Sequence, residues 1–519
     1  MSAAAEDFAR GNTLWRAGEH EAAIAAFERA VAGDPNLLDA ANNLGNALVA
    51  IGRAVDAVGV YRAAFARAPE RGDLAYNLGN ALMAAGQPAA AETAYRAALA
   101  VRPDHAGAHN NRGNVLRALG RHAEALGCYA AALALRPDFA GTLDNMAATL
   151  LALHRPQDAE PLLRRALAAA PDHAEACNNL GGALLALDRP AEALTWFRRA
   201  VALAPPHPQA RFGEGLALLS LGDYRSGWRA YAARWDDPRF TVDVPAYTTP
   251  IWTGGGAVAG KRMLLHAEQG LGDTIQFARY TKLLRQRGAH VVLQVQQPLA
   301  RLLAPLGDEI VAVGDPPASE PVPPHDLRCP LLSLPQALGT RLATIPADIP
   351  YLIAPPDRVA AWGARLGPAT GRRVGLAFSG SPDHPDDALR SIPATALLPA
   401  LAGCEVHVVQ RDIRPPDAAA LAGARVHAAD LTDFTEAAAL LAWMDLVITV
   451  DTSIAHLAGA LGRPVWVLLQ HAADFRWLRQ RTDSPWYPTA LLFRQTARDD
   501  WAGVIAEVAA ALTTSRHPP

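Results

Sequence analysis

Residues 36–69 read NLLDAANNLGNALVAIGRAVDAVGVYRAAFARAP, and residues 70–103 read ERGDLAYNLGNALMAAGQPAAAETAYRAALAVRP. The two stretches align without a gap, and the same 34-residue pattern continues over most of the first 207 residues. Prolines recur at positions 35, 69, 103, 137, 171 and 205, and alanines recur in register at two further positions. Small side chains at fixed positions let antiparallel helices approach closely, so the pattern predicts an array of stacked helix pairs.

A period of 34 residues, with glycines and aromatic or leucine side chains at further matched positions, resembles the tetratricopeptide repeat family. The resemblance covers residues 4–207, which hold six full repeats, and implies a right-handed superhelix whose concave groove binds an extended peptide. A degenerate seventh unit keeps Gly222 and Tyr231 and is expected to cap the array and couple it to the following chain. We therefore assign residues 1–207 to the repeats and residues 208–241 to the seventh unit and cap.

One repeat position is polar although packing does not require it, and asparagine occupies it at Asn43, Asn77, Asn111, Asn145 and Asn179. Asparagine is unfavourable inside a helix because its amide competes with the backbone for hydrogen bonds. A ladder of amides is able to bind a peptide backbone whatever its side chains, and this ladder resembles the one that lines the repeats of protein O-GlcNAc transferases. The alternative is that the amides only link neighbouring helices, and the sequence leaves both interpretations open.

Composition excludes several classes of function. The 48 basic and 51 acidic residues nearly cancel, so no global field attracts nucleic acid or an anionic membrane. The four cysteines lack the spacing of a disulfide framework or a zinc site. The N-terminus lacks the basic start and apolar core of a signal peptide, and charges interrupt every apolar run before it reaches transmembrane length. We expect a soluble, cytoplasmic, multidomain protein without a membrane span or a nucleic-acid partner.

The second half changes its period. After Trp235 a proline-rich connection leads to short apolar runs that alternate with helical segments, which is typical of parallel α/β architecture. Strands are predicted at residues 263–266, 290–295, 309–313, 374–378, 406–409, 446–450 and 465–469, with a proline-rich loop at residues 315–324. This pattern predicts two Rossmann-like halves, residues 242–355 and residues 356–519.

Ligands of such sheets bind beyond the carboxyl ends of the strands, so the loops that follow strands are the candidate sites. The first such loop contains Gln269, Gly270, Gly272 and Asp273. Its glycines permit a ligand to approach the backbone, and Asp273 opens a helix. The alternative role of Asp273 is simple N-capping. The third glycine of a dinucleotide fingerprint is missing, which disfavours NAD.

Two further loops carry candidate phosphate-binding groups. Asp451, Thr452, Ser453 and His456 follow the strand predicted at residues 446–450, where hydroxyls and free N–H groups at a helix start bind phosphate. The alternatives are a capping role for the aspartate and a core position for the histidine. The other loop begins with Ser379 and Gly380 and runs to Arg390, whose guanidinium is able to neutralise a diphosphate. A lone arginine is more often only a surface charge.

The Gly-Leu-Gly-Asp of residues 270–273 and the Asp-Thr-Ser-x-x-His-Leu of residues 451–457 together resemble the heptosyltransferase-like glycosyltransferases of the GT-B fold, over residues 260–512. The resemblance implies that Asp273 is the base for the acceptor hydroxyl and that Asp451, Thr452, Ser453 and His456 hold the donor phosphates. The family commonly has glycine at the position of Ser453 and lysine where Arg390 stands, so the sugar is not transferable by analogy.

The two resemblances predict an inverting glycosyltransferase that takes a nucleotide sugar as its donor and needs no cofactor. Metal-independent transfer is expected because the chain has no Asp-x-Asp pattern, by which many glycosyltransferases hold a divalent ion. The expected acceptor is a protein held in the groove of the repeats, such as a surface or flagellar protein. The alternatives are a non-catalytic scaffold with a degenerate transferase domain and a transferase that acts on lipid-linked or polysaccharide glycan.

Overall fold

A computed structural model describes residues 2–238, 240, 247–314 and 321–514. The chain divides into a repeat unit, Met1–Leu184 with Ala202–Pro205, and an α/β unit, Leu185–Val201 with Pro206–Pro519. The expected boundary between residues 241 and 242, and residues 315–320 of the expected proline-rich loop, lie outside the described residues.

Helices alone form the first part of the described chain, and they alternate with short turns at the predicted period. They are α1 Ala3–Arg16, α2 His20–Gly33, α3 Leu38–Ala50, α4 Ala54–Arg67, α5 Gly72–Ala84, α6 Pro88–Val101, α7 Ala106–Ala118, α8 His122–Leu135, α9 Ala140–Ala152, α10 Pro156–Ala169, α11 Ala174–Ala186, α12 Pro190–Leu203, α13 Pro208–Ser220 and α14 Tyr224–Tyr231. This confirms the predicted helical solenoid and the α/β region that follows it.

The glycine and aromatic positions of the repeat explain each other. A Cβ atom on Gly45 would lie 2.4 Å from the ring of Tyr61, and one on Gly79 would lie 2.6 Å from the ring of Tyr95. In these two pairs the first helix thus has a glycine where the aromatic ring of the second helix packs, whereas α9 and α10 have Ala147 and Leu163 at the same positions. Between the helices of a pair, Gly52 has φ +84°, a left-handed conformation that ends the helix and that glycine adopts without strain.

The α/β unit contains ten strands among its described residues, in two sheets. They are β1 Arg262–His266, β2 His290–Gln296, β3 Glu309–Val313, β4 Leu327–Pro330, β5 Arg373–Ala377, β6 Glu405–Val408, β7 Arg425–Val426, β8 Leu446–Val450, β9 Val465–Leu469 and β10 Ala490–Arg494. The seven predicted strands are present within one residue at each end. The other three, β4, β7 and β10, were not predicted. Strand β4 carries an arginine and ends at a proline, and β7 has two residues, whereas β10 is largely apolar and has the same signal as the predicted strands.

The helices of this part are α15 Leu271–Ala278, α16 Thr281–Gln286, α17 Gln297–Leu303, α18 Leu334–Ala337, α19 Pro356–Leu366, α20 Asp387–Arg390, α21 Ala394–Leu397, α22 Pro415–Ala418, α23 Phe434–Leu441, α24 Ser453–Ala460 and α25 Trp501–Thr514. Two 3-10 segments, Ala232–Asp236 and Phe475–Trp477, also matter for the site. None of the helices in the described ranges is both long and apolar enough to cross a bilayer.

Both sheets are parallel, and each reverses its strand order once. The first sheet has the order β3-β2-β1-β4, and the second has the order β10-β9-β8-β5-β6-β7. The order reverses beside β1 in the first sheet and between β5 and β8 in the second. Ligands bind parallel sheets at such switch points, and the three candidate loops follow β1, β5 and β8. The topology therefore brings the predicted loops to the edges where binding is expected.

Two apolar clusters cover the faces of the second sheet. Alternate residues of β8 divide between them, since Val447 belongs to one cluster while Leu446 and Ile448 belong to the other. The first cluster also includes one face of the first sheet and the buried aromatic residues of α14. Trp228 of α14 lies 5.8 Å from Phe277 and 5.5 Å from Phe475, measured between ring centroids. The helices α13 and α14 therefore contribute to the core of the α/β unit.

Candidate functional site

The loops that follow β1, β5 and β8 line one cleft of about 850 Å³ in the α/β unit. The predicted residues on its wall are Gln269, Gly270, Gly272, Asp273, Ser379, Gly380, Arg390, Asp451, Thr452, Ser453 and His456. The structure thus brings these residues together, while the chemical role of each stays a prediction. A cleft of this size matches the range that encloses small-molecule ligands.

Gly272 lies at a close approach between the two halves of the cleft. A Cβ atom at this position would lie 2.8 Å from Cδ2 of His456 and 3.3 Å from Cα of Ser453. Only glycine lets the first turn of α15 lie against the first turn of α24. The carboxylate of Asp273 is consequently held close to a helix N-terminus from the other half.

Asp273 occupies the first turn of α15 and makes two contacts with its carboxylate. One oxygen, Oδ2, accepts a hydrogen bond from the backbone N–H of Gly270 at 3.0 Å, which caps the helix. The other, Oδ1, accepts from Nη2 of Arg476. Burial raises the pKa of the Asp273 carboxyl above its ordinary value, although the guanidinium of Arg476 opposes this effect. The capping role and a role as a base are both compatible with this geometry.

Arg476 and Asp474 are cleft residues that the sequence reasoning missed. Nη1 of Arg476 donates to Oδ1 of Asp474 at 2.8 Å, and its Nε donates to Oε1 of Gln276 at 2.9 Å. Both residues lie in the segment that follows β9, at the carboxyl end of a parallel strand. The rule that selected the other three loops applies to this segment as well, and its charged Asp-x-Arg sequence was the available signal.

His456 is buried on α24 and faces aromatic neighbours. Its Nδ1 lies 3.0 Å from the hydroxyl of Tyr487, and its ring stacks on Trp477 with centroids 5.5 Å apart. Burial lowers the pKa of His456 well below 6.5, so the imidazole is neutral at pH 7. It offers the cleft a neutral polar group, and the position also fits the alternative of a core histidine.

Helix α24 begins directly at the cleft. Thr452 is its N-cap residue with an extended backbone, and its side chain makes no capping hydrogen bond within the described structure. The Thr452 hydroxyl lies 3.2 Å from that of Thr449 instead. Because the first N–H groups of a helix have no partner within the helix itself, and the helix dipole favours negative charge, this end suits a phosphate.

Asp451 and Arg390 connect the loop that follows β8 with the loop that follows β5. Nη1 of Arg390 donates to the backbone carbonyl of Asp451 at 3.0 Å. Burial, followed by the nearby carboxylate of Asp474, raises the pKa of the Asp451 carboxyl to about 6. A Cβ atom on Gly380 would lie 2.6 Å from Nη2 of Arg390, so glycine is required for the arginine to lie over this loop.

Gln410 fixes the start of the loop that follows β5, and the sequence did not identify it as a site residue. Its Oε1 accepts hydrogen bonds from the backbone N–H groups of Phe378 at 2.7 Å and Ser379 at 3.2 Å. Its Nε2 donates to the hydroxyl oxygen of Ser379 at 2.8 Å. This buried amide sets the conformation in which Ser379 meets the cleft.

The start of the first loop is held by the seventh helical unit. Nη2 of Arg234 donates to both carboxylate oxygens of Glu268, at 2.7 and 3.0 Å, and both side chains are almost fully buried. Burial raises the pKa of Glu268 to about 6, although Arg234 opposes this effect. Next to this pair, Nε2 of Gln269 donates to the hydroxyl of Tyr231 at 3.0 Å. The loop that carries Asp273 is therefore built on α14 and the segment after it.

The five asparagines of the predicted ladder each donate from Nδ2 to a residue 31 or 35 positions earlier, in the preceding repeat. Asn77, for example, donates to Asn42 at 2.8 Å, and Asn145 donates to Asn110 at 3.1 Å. All five side chains are half-buried. The amides thus link neighbouring helices, as one interpretation proposed, and the remaining amide groups are the ones relevant to a peptide.

Within the described ranges, no group of three or more histidine, cysteine, aspartate or glutamate side chains is placed to hold a metal ion.

Family models match both halves of the chain. A tetratricopeptide repeat model matches residues 8–71, 76–138 and 145–208. The model of glycosyltransferase family 9 (heptosyltransferase) matches residues 418–474, which include β8, α24 and the loop between them. The first half of the α/β unit lies outside this match. The chain therefore combines tetratricopeptide repeats with a stretch of glycosyltransferase family 9, which supports a glycosyltransferase.

Among curated proteins, the chain is similar to Protein FlbA of Caulobacter vibrioides, with 28% identity over 333 residues. The match covers 56% of this chain and 53% of FlbA, so the chain spans about half the length of this relative.

Among solved structures, the chain is similar to YrrB, described as a TPR protein with an unusual peptide-binding site, at 27% identity with a TM-score of 0.30. That match covers 33% of this chain and 88% of YrrB. It is also similar to a tetratricopeptide repeat protein from Parabacteroides merdae, at 14% identity with a TM-score of 0.39, covering 44% of this chain and 91% of that one.

Proposed function

We propose that the α/β unit transfers a sugar from a nucleotide-sugar donor to an acceptor hydroxyl in the cleft between its two sheets. The observation that carries this proposal is the contact of Gly272 with Ser453 and His456, because it holds a carboxylate from one half beside a helix N-terminus from the other. A base and an anion site side by side are the two groups that glycosyl transfer requires.

The donor diphosphate is assigned to the second half. The N-terminus of α24 at Thr452 and Ser453 supplies N–H groups and hydroxyls, and Arg390 supplies a positive charge. As the acceptor oxygen bonds to the anomeric carbon, the bond from that carbon to the phosphate oxygen breaks. The same groups stabilise the negative charge that develops on the departing nucleoside diphosphate.

The acceptor proton is assigned to Asp273. Its carboxylate lies on the cleft wall, and burial raises its pKa, which makes it a stronger base than an exposed aspartate. In a single displacement the acceptor oxygen loses its proton to Asp273 and attacks the face of the anomeric carbon opposite the departing diphosphate, and this direction of attack inverts the configuration. In this mechanism the charge on the diphosphate is balanced by protein groups, and no metal ion is needed.

The proposed acceptor is a protein whose extended segment lies along the repeats. The amide oxygens of the asparagine ladder are able to accept hydrogen bonds from a peptide backbone whatever its sequence. The amide nitrogen of Asn111 already donates to both Tyr76 and Asn80, so its oxygen is the group that it offers to a peptide. Covalent attachment of such a groove to the transferase raises the effective concentration of a bound acceptor.

The donor site is tested by calorimetric titration of the full chain with UDP-glucose, GDP-mannose, ADP-glucose and dTDP-glucose, followed by assay of nucleoside diphosphate release. We expect one of them to bind and Arg390→Gln to weaken that binding about tenfold or more, as loss of a charged hydrogen bond requires. Absence of binding by all four donors would count against the transferase and favour a non-catalytic scaffold.

The base is tested with Asp273→Asn, which keeps the shape of the side chain and removes its basicity. Donor binding should stay within about twofold, while turnover should fall on the order of 10²- to 10⁴-fold. The matched control is Asp499→Asn, since the Asp499 side chain is 77% exposed. Equal turnover in Asp273→Asn and the wild type would refute the assignment.

The acceptor is tested by mass spectrometry of proteins co-expressed with the full chain. The double substitution Asn77→Ala with Asn111→Ala should reduce sugar addition to proteins while donor binding persists. Asn36→Ala, at an exposed turn position of the repeat unit, is the control. Circular dichroism checks that the helices remain folded. Unchanged protein modification, or transfer only to lipid-linked or polysaccharide glycan, would refute a groove-bound protein acceptor.

A further inference from the structure

The cation that contacts Asp273 comes from the opposite half of the α/β unit. Asp273 lies on α15, which follows the first strand of the first sheet. Arg476 lies in the 3-10 segment Phe475–Trp477, which follows β9 of the second sheet. Their side chains are 20% and 10% exposed, so most of the surface of both partners of the ion pair is shielded from water.

Each nitrogen of the Arg476 guanidinium has a protein acceptor. Nε donates to Gln276, Nη1 donates to Asp474 and Nη2 donates to Asp273. The guanidinium carbon also lies 4.5 Å from the ring centroid of Phe475. Because each of its three nitrogens donates to a protein side chain, the planar guanidinium is poorly placed to rotate toward a phosphate. Arg476 therefore binds protein groups rather than the donor.

These contacts fix both oxygens of the Asp273 carboxylate. Oδ2 is held by the backbone N–H of Gly270, and Oδ1 is held by Arg476. An ionised carboxylate accepts about four hydrogen bonds, so these two contacts leave acceptor capacity for an incoming hydroxyl. The carboxylate is thereby oriented before the acceptor arrives, which is the condition for efficient proton transfer.

Aromatic residues of α14 support the segment that carries Arg476. The ring centroid of Phe475 lies 5.5 Å from that of Trp228 and 6.1 Å from that of Tyr231. The hydroxyl of Tyr231 also accepts a hydrogen bond from Gln269, in the loop before Asp273. The same helix therefore holds both partners of the ion pair.

We propose that Arg476 is a positioning residue for Asp273, supplied by the second half of the unit to orient the base of the first half. This inference rests on the proposed role of Asp273. It implies that the base is complete only when the two halves have the arrangement described above.

Removing Arg476 should also change the pH dependence of Asp273. The titratable and charged groups that influence this carboxyl, or are influenced by it, are Arg476, Asp474, His384, Glu268 and Tyr231. Arg476 is the cation that lowers the pKa of Asp273 most. An arginine guanidinium next to an aspartate lowers the pKa of that carboxyl by about 1 to 3. Its loss should move the acidic limb of the pH–rate profile upward by about that amount.

The test compares Arg476→Gln and Arg476→Lys with the wild type in the full chain. Arg481→Gln is the matched control. Arg481 lies five residues after Arg476 in the sequence, and it forms a more exposed ion pair with Asp483. The first readout is the pH dependence of nucleoside diphosphate release from UDP-glucose, GDP-mannose, ADP-glucose and dTDP-glucose. The second is pH-difference infrared spectroscopy without donor, in which subtraction of the Asp273→Asn spectrum isolates the carboxyl band of Asp273.

We expect Arg476→Gln to lower turnover on the order of 10²-fold and to shift both the acidic limb and the infrared titration upward. Arg476→Lys keeps the charge without the planar fork, so it should restore the pH limb but only part of the turnover. Arg481→Gln should change neither.

An infrared titration of Asp273 that is the same in the wild type and Arg476→Gln overturns the proposal, with or without turnover. A fall in turnover with an unmoved acidic limb overturns it too, because a purely structural defect has that result. If the wild type releases no nucleoside diphosphate from any of the four donors but the infrared shift is present, the transferase proposal fails and the pairing stands.

Discussion

Asp451→Asn should make the protein more stable at neutral pH. Asp451 begins the loop between β8 and α24, where burial and the carboxylate of Asp474 raise its pKa from an ordinary value of 3.8 to about 6. The neighbouring Trp477 and the guanidinium of Arg390 oppose this shift but do not cancel it. The folded protein therefore holds an ionised Asp451 at neutral pH at a cost in free energy, and asparagine removes that cost while keeping the side-chain shape.

The magnitude follows from the shift. A rise of about 2 pH units corresponds to about 3 kcal/mol, at about 1.4 kcal/mol per unit. Because the folded pKa is the higher one, the stability contributed by Asp451 is present below about pH 4 and is lost as the pH rises to about 6. The free energy of unfolding of Asp451→Asn should therefore equal that of the wild type near pH 4 and exceed it by about 3 kcal/mol near pH 7.5.

Urea unfolding followed by tryptophan fluorescence measures this difference, because 10 of the 11 tryptophans lie in the α/β unit and only Trp15 lies in the repeat unit. The pH series should run from about 3.5 to about 7.5, so that it begins below about pH 4, where the two proteins should be equally stable. Glu268 has a raised pKa in both proteins and cancels in the comparison. Asp499→Asn, at an exposed position, controls for the loss of a negative charge. A stability difference that is the same at both ends of the series, or a variant less stable than the wild type at the upper end, would refute the reasoning.

Three further substitutions test packing. Gly272→Ala places a Cβ atom 2.8 Å from His456, so the α/β unit should lose about 1 to 3 kcal/mol in urea unfolding, and an unchanged midpoint would contradict the close approach. Gly45→Ala places a Cβ atom 2.4 Å from the ring of Tyr61, and we expect a similar loss in the helical melting transition seen by circular dichroism, with the fluorescence transition unaffected. Trp228→Ala empties a site between the sheets and α14 and should cost about 3 to 5 kcal/mol in the fluorescence transition; a cost below about 1 kcal/mol would show that α14 is not part of that core.

Much of the fold is readable from the sequence because its determinants are local or periodic. Each repeat meets neighbours of nearly the same sequence, so positions 34 residues apart have nearly the same environment and keep the same residue types. Strand β9 is apolar throughout, and β8 is apolar except for Thr449, because both faces of a parallel sheet are buried. Strands β4 and β7 lack such a run, since one carries Arg328 and the other has two exposed residues, and the sequence offers no signal for them.

Part of the candidate site is likewise readable from the sequence, and part is visible only in the structure. Loops that follow apolar strands identify Asp273 and Thr452 from the sequence, because a parallel sheet places all its carboxyl ends at one edge. The sequence also distinguishes glycine positions, but it does not say what each glycine lies against. The contact of Gly272 with His456, and the aromatic partner of Gly45, are visible only in the folded chain.

What the sequence by itself determined is therefore the helical repeat, the alternation of strands and helices, and the loops where binding is expected. Only the tertiary structure decided which groups meet across the cleft. Asp273 and Arg476 are 203 residues apart, and their ion pair depends on how two separate sheets pack. No local sequence pattern encodes this ion pair, because the placement of its two partners results from many apolar contacts between the halves and with α14. The carboxylate was identifiable from its loop, whereas the cation that orients it was set by the packing of the chain.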